Sequence, residues 1–282
     1  MNKKTLKKIH VWVRFAIQLL FFIFIPSAYN AAFSGIKYIF TQLGSGISVE
    51  ITTFIALLLV VGVYTILFGR FFCGFACAFG SLGDWVHAVY CFSFKKLKKK
   101  APQIPEKCQP VLDKIKYILL VVIIYMCFKG IYESARGSSP WDVFSMIRNG
   151  RFQLAGYQIG FVLFLAILFG MCLQERFFCR NLCPMGAVFS LLPVLPFFAL
   201  HRDRENCIKG CKACTKKCPS RIGLPEEGSP RVEGDCFQCQ KCIDTCPKQN
   251  IHTGIKALKG NEIWFTIAKA VILVLLLKWA GV

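Results

Sequence analysis

The chain has 282 residues, 55% of them hydrophobic and 27 of them Phe, with a formal net charge of +20. Its mean hydropathy of +0.51 exceeds that of ordinary soluble proteins, whose apolar share is about 45–50%, and its 12 Pro are too few for a low-complexity chain. The charge argues against nucleic acid as a partner, because Lys and Arg cluster between apolar runs in the manner of the positive-inside rule.

Apolar runs of about 17–25 residues can cross a bilayer. Five are expected: Val11–Ala28, Ile51–Phe68, Tyr117–Tyr132, Tyr157–Leu173 and Ile263–Ala280. Arg14 in the first and Lys269 in the fifth can snorkel toward the cytoplasm, and an interfacial course is the alternative for the fifth. The opening MNKKTLKKIHVW resembles the start of a signal peptide, but no small-residue cleavage motif follows FFIFIPSAYNAAF, so the first run is read as an uncleaved helix. Basic residues fill the N-terminus, the segment Arg70–Lys116 with its run Lys95–Lys100, and the segment Arg176–Lys259. Residues 29–50 contain one basic residue, Lys37. Residues 133–156 have Arg136, Arg148 and Arg151 against Glu133 and Asp142. The expected topology is therefore multi-pass in the cytoplasmic membrane, with the N-terminus, the 70–116 loop and the segment after residue 200 in the cytoplasm.

An internal repeat follows two of these runs. Arg70-Phe71-Phe72-Cys73 through Cys77 to Gly80, and Arg176-Phe177-Phe178-Cys179 through Cys183 to Gly186, both read R-F-F-C-x-x-x-C-x-x-G at an offset of 106. Two related halves, about 10–95 and 115–200, are expected to pack about a pseudo-twofold axis. That packing would bring Cys73, Cys77, Cys179 and Cys183 together as a third cluster, a metal-ion site or redox thiols.

Of 16 Cys, eight lie in two further runs, CIKGCKACTKKCP at Cys207–Pro219 and CFQCQKCIDTCP at Cys236–Pro247. Three close thiolates plus a fourth before Pro is the spacing that holds a [4Fe–4S] cluster. Two such runs in tandem predict two clusters within electron-transfer reach. Cluster assembly is cytosolic, which agrees with the charge pattern. Cys91, Cys108, Cys127 and Cys172 have no partner at a motif spacing and read as packing residues. His10, His87, His201 and His252 are scattered, and none lies deep in an expected helix as a haem ligand would. His87 reads as a surface or interface residue.

Cys pairs at membrane-helix ends followed by two ferredoxin runs resemble the NapH/NosR/CcoG group of polytopic iron–sulfur proteins, closest to the NapH type. The segment Ser139–Phe144, SPWDVF, resembles a stretch of their exported loop. The resemblance implies electron transfer between the quinol pool and redox partners on the cytoplasmic and exported sides. Its CcoG-like branch implies an alternative, an accessory factor that reduces a metal ion such as copper at the membrane-edge cysteines. Two departures stand out: Ala78 replaces the Pro that follows the second Cys, and three residues rather than two separate Cys207 from Cys211.

In two-cluster ferredoxins the fourth Cys of each run ligates the other cluster. The expected sets are Cys207, Cys211, Cys214 and Cys246, and Cys236, Cys239, Cys242 and Cys218. Lys209, Lys212, Lys216, Lys217 and Lys241 would raise the potentials and attract an acidic partner such as a flavodoxin or ferredoxin. The architecture expected is an all-α polytopic membrane domain over residues 1–200, with four core helices in two halves. A cytoplasmic dicluster ferredoxin-like α+β domain over 201–256 follows, then a membrane or interfacial helix over 257–282.

Overall fold

A computed structural model describes residues 3–132, 137–150, 156–226, 233–254 and 262–281. Glu133, Arg136, Arg151 and Lys259, counted in the charge argument, and the expected boundary at 256/257 lie outside the described residues.

Helix α1 (Lys3–Phe24) ends before Pro26, whose missing amide cannot continue a helix. The chain turns and resumes as α2 (Ala28–Gly44), followed by α3 (Thr53–Phe68). The expectation of a loop over 29–50 is thus corrected. Tyr29, Ala32, Phe33 and Ile36 recur at helical spacing and are buried, and α2 packs on α3. Gly35 permits that approach, since a Cβ there would lie 2.5 Å from the Phe54 carbonyl. After α3 the chain makes one π-turn, Phe72–Ala76, and enters α4 (Ala78–Lys96), a helix inside what the charge pattern read only as a cytoplasmic loop.

The second half repeats this order. Helix α5 (Gln109–Phe128), with Pro110 in its first turn where no amide is needed, precedes α6 (Pro140–Arg148) and α7 (Gln158–Leu173). A second π-turn, Phe178–Leu182, leads into α8 (Pro184–Leu191). Within the halves α2 packs on α3 as α6 packs on α7, and α1 touches the first π-turn as α5 touches the second. Across them, α4 lies on α7 and α2 on α5. The short strands β1 (Leu200–Arg202) and β2 (Ile251–Thr253) pair antiparallel, with His201 opposite His252. Between them lie the one-turn helices α9 (Ala213–Lys217) and α10 (Lys241–Thr245), which pack together. Helix α11 (Glu262–Trp279) closes the fold against α3 and α1.

Among the described residues no single helix is long and apolar enough to cross a membrane; α1 and α2 satisfy that test only together, across a 61° bend. The expected spans are shorter or more charged than their apolar runs suggested. Helices α3 and α7 have 16 residues each, about 24 Å at 1.5 Å per residue. Helix α5 carries Asp113, Lys114 and Lys116, and α11 carries Glu262, Lys269 and Lys278. Lys269 does not snorkel outward: it is fully buried.

The cysteine-rich segment is not loosely appended. Phe237, within its second run, belongs to the main hydrophobic core. From α1, His10 Nδ1 lies 2.6 Å from Asp244 Oδ1, Arg14 pairs with Asp244 Oδ2 at 2.9 Å, and Arg14 donates to the Cys239 carbonyl at 3.0 Å. Replacing Asp244 by Asn removes the charged partner of both side chains. The expected loss is about 1.5–3 kcal/mol, read as a lower thermal-unfolding midpoint than wild type.

Candidate metal centres

The two π-turns bring their four cysteines into one buried site. Cys179 and Cys77 share a hydrogen bond, and Cys73 and Cys183 lie within electrostatic reach of the same group. The signature's repeated spacing has a mechanical basis in reciprocal arginines. Arg176, from the second half, donates to the Cys73 carbonyl at 2.6 Å and the Gly74 carbonyl at 2.7 Å. Arg70, from the first half, donates to the Cys179 carbonyl at 3.4 Å. Both guanidiniums are buried. The signature glycines sit where the halves meet most closely. A Cβ on Gly80 would lie 2.6 Å from the Cys73 carbonyl, and one on Gly186 would lie 2.9 Å from both Arg70 Nη2 and the Cys179 carbonyl.

Each of these two guanidiniums has its anion. Asp84 on α4 accepts from Arg176 Nε at 3.0 Å and Nη2 at 2.5 Å, from Gln18 at 2.9 Å, and from Lys241 at 3.2 Å. Asp235 accepts from Arg70 at 3.1 Å and from Lys116 at 2.6 Å. Burial opposes the charge on Asp84, but Arg176 and Lys241 outweigh it and hold the carboxyl below the usual carboxylate range. Lys241 also pairs with Glu175.

Around the four thiols stands an aromatic wall. Tyr29 Oη lies 3.6 Å from Cys183 Sγ, and its ring stacks on Trp141 at 6.0 Å and 7°. Phe33, Phe79 and Phe178 complete the wall. Trp141 is the tryptophan of the SPWDVF segment, at the start of α6. Burial pushes the Cys183 thiol up to about 12, with Cys179 and Cys73 adding to it. A dry set of four thiols ionises only around a positive centre, and that is the donor chemistry of a cluster or soft metal. Cys183 precedes Pro184, which restricts it to extended backbone, and has φ −74°, ψ 115°. Cys77, before Ala78, adopts φ −70°, ψ 120° without that constraint. The first departure from the family pattern therefore leaves the backbone geometry intact.

The remaining eight predicted cysteines fall into two pockets. One is lined by Cys207, Cys211, Cys214 and Cys246. The other is lined by Cys218, Cys236, Cys239 and Cys242, with Cys214 shared between the two. The extra residue after Cys207 is absorbed by Gly210, at φ +74°, where the Cys211 amide bonds the Ile208 carbonyl at 3.1 Å. In the second run Gln238 (φ +53°) and Gln240 (φ +60°) are left-handed. This curls the backbone so that the amides of Gln238, Lys241 and Ile243 point at the sulfurs of Cys236, Cys239 and Cys242, a nest suited to an anionic group. In the first pocket the Asn250 amide donates to Cys246 Sγ at 3.4 Å and Arg202 to Cys214 Sγ at 3.8 Å. Among the described residues no three His, Cys, Asp or Glu are placed to hold a single metal ion. A cubane places a different iron at each thiolate and so takes ligands further apart than one tetrahedral ion does.

The second pocket and the four-thiol site share a wall. Phe237 lies between Cys236 and Cys239, and its ring faces Arg70 at 4.5 Å and Arg176 at 5.2 Å. Its carbonyl sits where a Cβ on Gly74 would be, 2.3 Å away.

Comparison with known proteins agrees with this geometry. Residues 50–100 and 158–197 match a family described as a 4Fe-4S binding domain. These stretches contain the two R-F-F-C motifs, whereas the Cys207 and Cys236 runs fall outside them. The chain is 30% identical over 233 residues to an uncharacterised protein, MJ0750, of Methanocaldococcus jannaschii, covering 82% of this chain and 90% of that protein. It is 32% identical to protein NirI of Paracoccus denitrificans over 62% of this chain and 25% of that one. With the ferredoxin-type protein NapH of Escherichia coli it shares 26% over 65% of this chain and 61% of that one. The chain belongs to the NapH/NosR-like ferredoxin-type proteins. It thus spans most of MJ0750 but less than two thirds of NapH and a quarter of NirI. No solved structure matches it significantly.

The predicted thiols are gathered in three groups. Ligand spacing alone does not encode what connects them. Arg70 and Arg176 stood inside the repeated motif, and their recurrence at the 106-residue offset was the available signal. Asp84, Asp235, Phe237, Tyr29 and His10 carried none. Of the four unmotifed cysteines, Cys127 is buried, as a packing residue should be, but Cys108 is exposed. His87 bridges helices, with Nδ1 3.0 Å from the Cys172 carbonyl and Nε2 3.3 Å from Cys91 Sγ.

Replacing Asp84 by Asn leaves Arg176 buried without its counter-charge, and about 3–5 kcal/mol of stability is expected to go at neutral pH. Because the folded carboxyl titrates below its unfolded value, this stabilisation is full above the ordinary carboxylate pKa of about 4. It fades as pH falls through the lower folded value. Unfolding curves of wild type and variant, far apart at pH 7, should converge in acid. Gly74→Ala should displace the Phe237 loop. Faster cleavage of the 233–254 segment in limited proteolysis is the expected sign.

Proposed function

We propose that the chain is a membrane-bound iron–sulfur protein that relays electrons between the quinol pool and a redox partner. The observation that carries this reading is the gathering of the twelve motif cysteines into three groups, two of which meet at Phe237. Cys207, Cys211, Cys214 and Cys246 would hold one [4Fe–4S] cluster, and Cys218, Cys236, Cys239 and Cys242 the second. Cys73, Cys77, Cys179 and Cys183 would hold a third, in the region matched by the 4Fe-4S family model. When bound, such clusters supply one-electron transfer with little rearrangement.

The chain's own residues prepare that chemistry. Backbone amides in the second run orient the thiolates. Arg70 and Arg176 place fixed positive charge beside the four-thiol site while clamping the two halves. Phe237 keeps water out of the gap between that site and the second pocket.

Membrane attachment is supported by the apolar side chains left exposed on α1, α3, α5, α7 and α11, among them Phe24, Leu59, Val121, Phe169 and Trp279. Soluble monomers rarely expose faces of this extent. The positive-inside pattern orients the N-terminus and the cysteine runs to the cytoplasm in this reading. The exposed Lys209, Lys212, Lys216 and Lys217 would receive an acidic redox partner there.

The test is anaerobic purification with iron and sulfide analysis and EPR, on wild type and on a Cys73/Cys77/Cys179/Cys183 to Ser variant. About twelve iron in wild type and about eight in the variant are expected, at four per cubane. About eight in both, with copper bound to wild type alone, would move the four thiols to the metal-reductase reading. No iron–sulfur signal in either protein would overturn the proposal.

A further inference from the structure

Lys269 on α11 is fully buried, and its Nζ has no hydrogen-bond partner among the described residues. It lies 4.9 Å from the Phe71 ring centroid and 4.7 Å from that of Phe265. The other deeply buried cations are paired: Arg70 and Lys116 with Asp235, and Arg176 with Asp84. A lone ammonium in a dry interior is costly, and two aromatic faces offset only part of that cost. An anion therefore belongs within its field.

The surroundings identify where. Gln240, next to Cys239, is fully buried and donates to Thr266 Oγ1 at 2.7 Å while its Oε1 lies 2.8 Å from His10 Nε2. Thr266 and Lys269 stand three residues apart on one helical face. The pin through Gln240 thus fixes the Lys269 face of α11 against the second cysteine run, and the Cys236 sulfur and the Lys269 ammonium act on each other electrostatically.

We infer that Lys269 is the fixed counter-charge of the anionic centre held by Cys218, Cys236, Cys239 and Cys242, and that it holds that centre's reduction potential above that of the centre at Cys207, Cys211, Cys214 and Cys246. The inference rests on the cluster reading above. The exchange it biases is a single electron: the first centre is oxidised by one electron, the second reduced by one, and no bond or proton moves. The electron would then rest beside Phe237, facing the four-thiol site. The first centre's neighbours Lys209, Lys212 and Lys248 are exposed, so solvent and salt screen them. Arg202, half-buried, reaches Cys214 Sγ at 3.8 Å. Lys241, near the second centre, is already engaged by Asp84 and Glu175.

The experiment is an anaerobic redox titration followed by EPR on the full chain, comparing wild type, Lys269→Met and Lys269→Arg. In Lys269→Met one ferredoxin-type signal should shift to lower potential while the other stays, and Lys269→Arg should retain the wild-type order. Unmoved potentials in a fully iron-loaded Lys269→Met protein would overturn the inference. If Lys269→Met loses iron, recovery of iron in Lys269→Arg supports the charge role, and loss in both overturns it. A second readout uses chelator-stripped protein, where Lys269→Met should melt above wild type because it removes a charge left unpaired. A lower melting point there counts against the inference. Absence of two cubane signals in wild type would instead sink the cluster reading itself, before any variant is compared.

Discussion

The reciprocal clamp of Arg70 and Arg176 is the constraint from which the rest of the structure follows. Each guanidinium crosses from its own half to the first signature cysteine of the other and bonds its carbonyl. The clamp needs both guanidiniums buried, and a buried charge must be compensated. Asp84 compensates one from α4, and Asp235 the other from the edge of the second cysteine run. One electrostatic requirement therefore ties together two half-domains, an amphipathic helix and the ferredoxin segment. It also explains the glycines: a Cβ at Gly80 or Gly186 would occupy the space where the halves approach.

The same clamp continues outward through Phe237. Because both guanidiniums face its ring, the loop between Cys236 and Cys239 packs as part of the main core. The second cysteine pocket is thereby held at a fixed place relative to the four-thiol site, and it shares Cys214 with the first pocket. Tyr29 and the α6 tryptophan cover the four thiols from the other direction. Phe237 and the two guanidiniums thus fill the space between the four-thiol site and the second pocket.

The thiol groups were legible in the sequence because ligand spacing is local. Cys246 lines one pocket with Cys207, Cys211 and Cys214, and Cys218 lines the other with Cys236, Cys239 and Cys242, Cys214 reaching both. The repeat was legible through its constant offset. Helices α2 and α4 were not, because their partly polar faces hid the helical period that only packing against α3 and α7 reveals. Lys269 was misplaced for a related reason. A lysine near a helix end snorkels by default, and nothing local signals that α3 and the second cysteine run close over it. The first apolar run outlasts its helix, since hydropathy ignores that Pro26 ends α1 at Phe24.

Taken alone, the sequence determined which cysteines stand at ligand spacing, that one eleven-residue motif recurs at an offset of 106, and that 55% of the residues are hydrophobic. These depend on spacing and composition, which survive without knowledge of neighbours. The tertiary structure alone decided which cation meets which anion, that Phe237 joins two thiol sites, and that Lys269 has no partner of its own. These are contacts between residues far apart in the chain: Arg70 with Asp235 is separated by 165 positions, and His10 with Asp244 by 234. Pairings at that distance are set by the closure of the whole fold, and no local pattern encodes them.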